Sequence, residues 1–541
     1  METGRISGAG HGARRRRSAW VLPLLGANAA LLLVLVLQPM PVMLGHFIYD
    51  DMFYYLRVAQ HIAAGEGSTF DGTAPTNGYH PAWMAISALL ALGLSGDGLV
   101  RALLLVGAAL QIVQGAMLHR LLSRYTRPWV ALSHTGFYLF NWRTISANLC
   151  GLETPLAVVT VLLVLSLLDR RQQCLGTPAQ AAGLGALLGL CVLARMDLLL
   201  FSGLVLVWAW STAILRDGAG AVRATALATV AGLVALAVIA PWIWASLSIS
   251  GVPLPNSRVA VDLLATVQLD PNESGSLAAD VKRQVAWALH LLPDLANFLG
   301  LWPSSGPSTM LSILPSVLAA AAVATILVAT VRAGRSAPPI AILCVIFVVA
   351  HMGYYLIEHR MILRYVLPSL AGFVFLVGLA MERALTAPDA PRRRRRVMQR
   401  GLAVLFAVAL VSGLDGWRKG HGATRYHAFH PLTLEAATWV SGAHPGAIVG
   451  AWNAGILSHF ADAVVVNLDG VINDDALAAM QSRDIDAYIQ SRGISLLVDV
   501  PGQISLNLGR FGGGGEAGPE VARFGREDGR EVVVREAQPP S

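Results

Sequence analysis

The chain has 541 residues, of which 55% are hydrophobic and only 13% charged, with a mean hydropathy of +0.57. A soluble globular protein carries about a quarter charged residues, so this composition excludes that class and points to a polytopic membrane protein. The formal net charge of +7 is gathered in blocks, Arg14–Arg17 and Arg392–Arg396, a pattern of cytoplasmic loop retention rather than of nucleic-acid binding.

Residues 1–18 form a basic cytoplasmic N-terminus. The apolar run Ala19–Leu44 is too long for a signal-peptide core and is read as an uncleaved first span, basic flank inside. That places residues 45–98 outside the membrane as a first loop opening Tyr49-Asp50-Asp51. A helix is expected over Asp51–Ala64. Its stripe of Phe53, Leu56, Val58, Ala59 and Ile62 suggests that it lies along the membrane surface, and Gly65–Gly67 ends it. The polar run Thr76-Asn77-Gly78-Tyr79-His80-Pro81 follows. Pro81–Leu94 is about two-thirds of a span and is read as interfacial. If it crossed, the basic stretch His119, Arg120, Arg124, Arg127 would fall outside.

The later spans are expected at Leu99–Met117, Trp129–Ala147, Thr154–Leu168, Gln180–Met196, Asp197–Leu215, Ala224–Ile249, Met310–Val331, Pro339–Ile357, Ile362–Met381 and Leu402–Val411. The result is a polytopic α-helical membrane core over 19–416, about eleven spans, with the N-terminus in and the C-terminus out. A second outer loop covers 250–309. The tail, 417–541, alternates strand-like runs (Ala447–Trp452, Ala463–Leu468, Ser495–Val500) with helix-like ones (Leu477–Ser482, Ile485–Arg492) and has a weak strand at Glu531–Arg535. It reads as a small extracytoplasmic α/β domain. Cys150, Cys174, Cys191 and Cys344 lie in or beside apolar runs without metal-ligand spacing.

Two adjacent carboxylates at a membrane surface are costly unless solvated or paired, so Asp50 and Asp51 mark a site. One can serve as a general base while the other positions a substrate or a metal; both also suit the start of the helix behind them. Glu153, in Gly151-Leu152-Glu153-Thr154, either faces the same cavity or caps the next span. Arg195 and Asp197 share a tight outer hairpin and can pair with each other. Arg258, Arg360 and Arg364, with Glu358 and His359, fall on the outer face, where converging guanidinium groups suit a phosphate or diphosphate; solvation and interfacial anchoring are the alternative. In the tail, Asn467-Leu468-Asp469-Gly470 follows a strand. It is either a ligand-facing strand end or an ordinary turn.

Four motifs in order carry a resemblance: Asp50-Asp51-x-Phe53-Tyr54-Tyr55, Thr76-Asn77-Gly78-Tyr79-His80-Pro81-x-Trp83, Gly151-Leu152-Glu153-Thr154-Pro155-Leu156 and Asn467-Leu468-Asp469-Gly470. The chain resembles the GT-C superfamily of membrane glycosyltransferases, which includes protein O-mannosyltransferases, aminoarabinose transferases of lipid A and mycobacterial arabinofuranosyltransferases. The resemblance implies a GT-C type fold and inverting transfer on the outer face of a bacterial inner (plasma) membrane. The implied donor is a polyprenyl-phosphate-linked sugar, and the acceptor a cell-envelope glycan, lipid or protein. By position Asp50 matches the first acidic residue of the family pair and is the implied base, with Asp51 second. The pair is often Asp-Glu in the superfamily. Tyr54, Arg57, Asn77, Tyr79, His80 and Glu153 are the expected substrate-binding residues, Arg258, Arg360 and Arg364 the donor-phosphate ligands, and Asn467 and Asp469 acceptor contacts. No cofactor is certain, and a divalent metal is left open because metal dependence varies across the superfamily. A transporter or lipid-linked-sugar flippase and a non-catalytic scaffold are the competing readings. The absence of two-half symmetry and the clustering of charge at one face argue against transport.

Overall fold

The computed structural model describes residues 20–170, 175–215, 218–267, 323–333, 337–357, 363–386, 425–512, 517–527 and 529–537, with isolated positions at 321 and between 393 and 414. The apolar N-terminal run forms α1 (Val21–Val36) and then breaks. Pro39 is extended and Pro41 lacks an N–H, so α2 (Met40–His46) leaves at 114° to α1. The first span therefore ends about eight residues before the expected Leu44. The first loop holds α3 (Asp51–Ala63) and α4 (Pro81–Ala91). At 11 residues α4 is too short to cross, in keeping with the interfacial reading.

The expected membrane surface helix is placed differently. In α3 Met52, Phe53, Tyr54, Tyr55, Leu56, Val58 and Ala59 are all buried, because α4 covers one side and the C-terminal segment the other. Its apolar stripe faces protein.

The helical layer continues with α5 (Gly96–Tyr125), α6 (Pro128–Phe140), α7 (Trp142–Asn148), α8 (Thr154–Arg170), α9 (Pro178–Ala194), α10 (Leu199–Leu215), α11 (Ala221–Ser250), α12 (Ser257–Val267), α13 (Pro339–Ile357) and α14 (Leu363–Thr386). The expected span Trp129–Ala147 is two helices. Asn141 adopts an extended backbone and its side chain accepts the Arg143 N–H, restarting the helix as α7. The carbonyl of Leu139, left without an intrahelical partner, accepts from Asn28 Nδ2 (2.8 Å) and Gln111 Nε2 (3.0 Å). Buried amide side chains thus repair the break where water is scarce. Among the described residues five helices are long and apolar enough to cross a membrane, or six if α1 and α2 make one bent span. Of the expected span Met310–Val331 the described part is 323–331 with the isolated position 321; Leu402–Val411 and the boundary at 417 fall outside the described residues apart from isolated positions.

The C-terminal segment is an α/β layer. After α15 (His430–Ala443) come β1 (Ile448–Ala451), α16 (Ala454–Phe460), β2 (Val464–Asn467), α17 (Asp474–Ser482), α18 (Ile485–Ser491), β3 (Leu496–Asp499), α19 (Pro501–Phe511), β4 (Glu520–Gly525) and β5 (Glu531–Glu536). The sheet order is β2-β1-β3-β5-β4. β1 is parallel to both neighbours, while β5 runs antiparallel to β3 and β4. The two-residue period of the strands separates two cores. Val449, Ala451, Val465, Leu496, Val498, Val532 and Val534 share a core with α2, α3 and α4, whereas Val466, Leu497 and Val533 pack on α17, α18 and α19. This face of the sheet is covered by α15 and α16, which in turn pack on α2 and α3.

Candidate active site

The four motifs, spread over some 420 positions of chain, meet at the Asp50–Asp51 turn. Tyr49 N–H donates to Cys150 O (3.3 Å), and Trp83 Nε1 donates to Gly151 O (3.0 Å). Gly151 has φ +82°, and a Cβ there would lie 2.2 Å from Met52 Sδ, so only glycine lets this loop pass against α3.

Asp50 occupies the N-cap position of α3, yet its side chain caps nothing there. It points into the C-terminal layer, where Oδ2 accepts from Gly455 N–H (2.9 Å) and Oδ1 from Ile456 N–H (2.7 Å). Burial pushes the carboxyl up to about 7. The charges of Asp51 and Asp499 add to this, and the two amides pull the other way. A Cβ at Gly455 would sit 2.2 Å from the Asp50 carbonyl oxygen, so the approach requires glycine.

Asp51 faces the opposite way. Its side chain is 47% exposed and pairs with Arg364 Nη2 at 2.9 Å. Arg364, at the start of α14, is 8% exposed, with its guanidinium 4.5 Å from the Tyr49 ring centre and 4.9 Å from that of Tyr365. Its Nε has no hydrogen-bond partner among the described residues.

Behind this pair lies a buried network. Tyr55 OH donates to Glu153 Oε2 (3.3 Å) and accepts from His80 N–H (2.9 Å). His80 Nδ1 accepts from Met196 N–H (3.4 Å), which leaves its proton on Nε2, 3.7 Å from Glu153 Oε1. Burial lowers the His80 pKa, in keeping with a neutral ring. At Glu153 burial acts upward, but His80, Arg195 and Arg364 together outweigh it and hold the carboxyl below its ordinary value. Arg195 is 2% exposed. It pairs with Asp197 (3.1 Å), approaches Glu153 (3.8 Å), and donates to the Arg364 carbonyl and to Tyr355 OH, both at 2.9 Å. Asp197 also takes Tyr355 OH (2.5 Å) and His351 Nε2 (3.1 Å). The expected Arg195–Asp197 pair thus forms within a larger network that holds the α14 start.

On the other side Tyr54 OH donates to Asp469 Oδ2 (3.0 Å) and accepts from Asn467 Nδ2 (3.2 Å). Val471 N–H donates to Asp469 Oδ1 (2.7 Å), and burial pushes this carboxyl also up to about 7. Asn467 and Asp469 therefore meet the first loop, at the carboxyl end of β2. Asn77 Nδ2 ties the loop to the end of α11, donating to Ser246 Oγ (2.8 Å) and Ser250 Oγ (2.7 Å). Tyr79 OH bonds Ser68 Oγ (2.7 Å), and its ring lies 5.3 Å from that of Trp242. Arg57, half-buried, lies near His459.

Asp51, Arg364, His80 and Glu153 are thus brought together. Asp50, Tyr54, Asn467 and Asp469 form a second group facing the C-terminal layer. Arg258 sits on α12, its side chain 54% exposed, 3.9 Å from Asp262 one turn on. Glu358, His359 and Arg360 lie outside the described residues. No group of three or more His, Cys, Asp or Glu side chains able to hold a metal occurs among the described residues. The sequence reading missed Tyr49, His351, Tyr355, Tyr365, Gly455 and Asp499. His351 and Tyr355 carried a signal, two polar side chains four apart in an apolar span. Gly455 and Asp499 carried none.

No family model and no curated protein matches the sequence. Solved structures match its fold. ArnT from Cupriavidus metallidurans bound to undecaprenyl phosphate superposes with a TM-score of 0.56 at 16% identity, over 96% of this chain and 98% of that one. The apo state of that protein gives 0.54 at the same identity and coverage. The archaeal oligosaccharyltransferase AglB from Archaeoglobus fulgidus, in complex with an inhibitory peptide and a dolichol-phosphate, gives 0.56 at 12% identity, over 95% of this chain and 74% of that one. The chain shares the overall fold of these two proteins.

Proposed function

We propose that this protein is an integral membrane glycosyltransferase. It moves a sugar from a polyprenyl-phosphate donor to an acceptor hydroxyl on the outer face of the plasma membrane, with inversion at the anomeric carbon. One observation carries the reading: an exposed carboxylate, Asp51, stands 2.9 Å from a buried arginine, Arg364, in a fold shared with structures that hold polyprenyl or dolichol phosphates.

The geometry favours Asp51 as the base and Asp50 as its anchor, the reverse of the order taken from motif position. A general base needs a free oxygen within reach of the acceptor hydroxyl. Both Asp50 oxygens are engaged by amides and the side chain is buried, whereas Asp51 is open on one side. In the transfer step Asp51 takes the hydroxyl proton as the acceptor oxygen attacks C1. The C1–O bond breaks from the opposite face, and its electron pair leaves on the lipid phosphate. Arg364 neutralises that phosphate through a planar fork. Asp51 and an incoming phosphate compete for Arg364, so donor binding releases Asp51 from its ion pair when a base is needed.

The test is transfer from a panel of radiolabelled polyprenyl-phosphate sugars in membranes carrying the wild type, Asp51→Asn or Asp50→Asn. Asp51→Asn is expected to lower kcat about 10²- to 10⁴-fold while donor binding persists. Full activity in Asp51→Asn sinks the assignment. Failure of wild type with every donor and acceptor counts against the reaction class.

A further inference from the structure

We infer that the C-terminal α/β layer is a positioning part of the active site. The backbone amides of Gly455 and Ile456 fix Asp50 and so aim the adjacent Asp51 at Arg364. This rests on the reading of Asp51 as base but comes from a separate set of contacts.

A continuous chain of bonded groups leads to the acidic turn. Asp499, at the end of β3, is 4% exposed. It accepts from Trp452 N–H (3.0 Å), Asn453 N–H (2.9 Å), Asn453 Nδ2 (2.8 Å) and Val500 N–H (2.8 Å). These bonds fix the β1–α16 connection. At the start of α16 Ala454 N–H donates to Tyr54 OH (3.4 Å), and the Gly455 and Ile456 amides grip Asp50 by both oxygens. Asp51 follows in the chain and opens α3, so a shift of Asp50 is passed directly to its backbone.

Two further ties hold α3 and its loop in register with the sheet. Tyr54, one turn along α3, bonds Asp469 and Asn467 beyond β2. Arg492 Nη2 donates to Asp71 Oδ2 and Thr73 Oγ1, both at 2.7 Å. The carboxyl ends of β1 and β2, where open α/β sheets receive ligands, are thus met by Tyr54 and Asp50 of the protein's own first loop, and that of β3 is closed by Asp499's bonds to the β1–α16 connection. In this arrangement Asn467 and Asp469 serve docking, not acceptor binding.

The decisive variant is Gly455→Ala, whose new Cβ would fall 2.2 Å from the Asp50 carbonyl and 2.8 Å from its Oδ2. Asp50→Asn is the milder second variant, turning an NH2 toward one of the two amides. Full-length proteins in nanodiscs, matched for monodispersity, are compared by amide hydrogen exchange and by transfer from the same donor panel. In both variants exchange over residues 50–56 is expected to quicken about tenfold or more, with the strands of the sheet still protected. kcat is expected to fall about 10- to 100-fold at unchanged donor KM, as a displaced base predicts. Unchanged exchange overturns the anchor. Quickened exchange with wild-type kcat overturns positioning. If Asp51→Asn is as active as wild type, the base assignment fails instead, and positioning of that base fails with it while exchange still decides the anchor.

Discussion

The acidic turn divides its surroundings into two regions of opposite character. Toward the C-terminal layer Asp50, Tyr54, Asn467, Asp469 and Asp499 are buried and bonded to one another or to backbone amides. Toward the helices Asp51 is half exposed, and the Nε of buried Arg364 is unpartnered among the described residues. Adjacent residues of the same type thus have different capacities. A carboxylate whose oxygens are both occupied specifies a structure; one with an open side can exchange partners and do chemistry.

The largest effect that can break this comparison is the loss of transfer in Asp51→Asn. If Asp50→Asn alone abolished transfer with exchange unaltered, the roles of the two regions would be exchanged. Next is Arg364→Lys, which keeps the charge and loses the fork. Donor KM is expected to rise about tenfold, the loss of one charge-assisted hydrogen bond, and steady-state kinetics with varied donor measure it. An unchanged KM would place the donor phosphate elsewhere.

The closed region carries a pH signature. Asp50 and Asp469 have ordinary values of 3.8 and are pushed up to about 7 when folded. The unfolded chain therefore ionises first as pH rises. Their stabilising contribution is complete below about pH 4 and is lost progressively as pH approaches 7. Thermal unfolding of the C-terminal layer is expected at falling temperature across that window, with a shallower slope in Asp469→Asn. A slope unaltered by that substitution would remove Asp469 from the set. The smallest expected effect is that of Tyr54→Phe, which leaves Asp469 and Asn467 each one partner short. A loss of about 1–2 kcal/mol, read as a lower melting temperature, is expected.

Much of this was legible in the sequence. Hydropathy located α9, α10, α11, α13 and α14 to within a few residues, and alternation located β1, β2 and β3. The four motifs marked the segments that meet. β4 was missed because its burial is slight along its length, leaving little apolar alternation. The breaks at Pro39 and Asn141 were missed because a continuous apolar run masks a backbone turn whose freed carbonyls are satisfied from other helices, Val36 and Gln38 by Arg101 and Leu139 by Asn28 and Gln111.

By itself the sequence determined that the chain enters a membrane, where its apolar helices lie, and that an acidic pair opens the first loop. Composition, hydropathy and alternation are local properties, and these conclusions rest on nothing else. Only the tertiary structure decided which carboxylate is occupied and which is open. That depends on Gly455 and Ile456, which stand 405 and 406 positions beyond Asp50 in the chain, and on the small radius of a glycine that carries no pattern of its own. Burial and partnership, the two quantities that set a carboxylate's role, are properties of packing and appear only when distant segments meet.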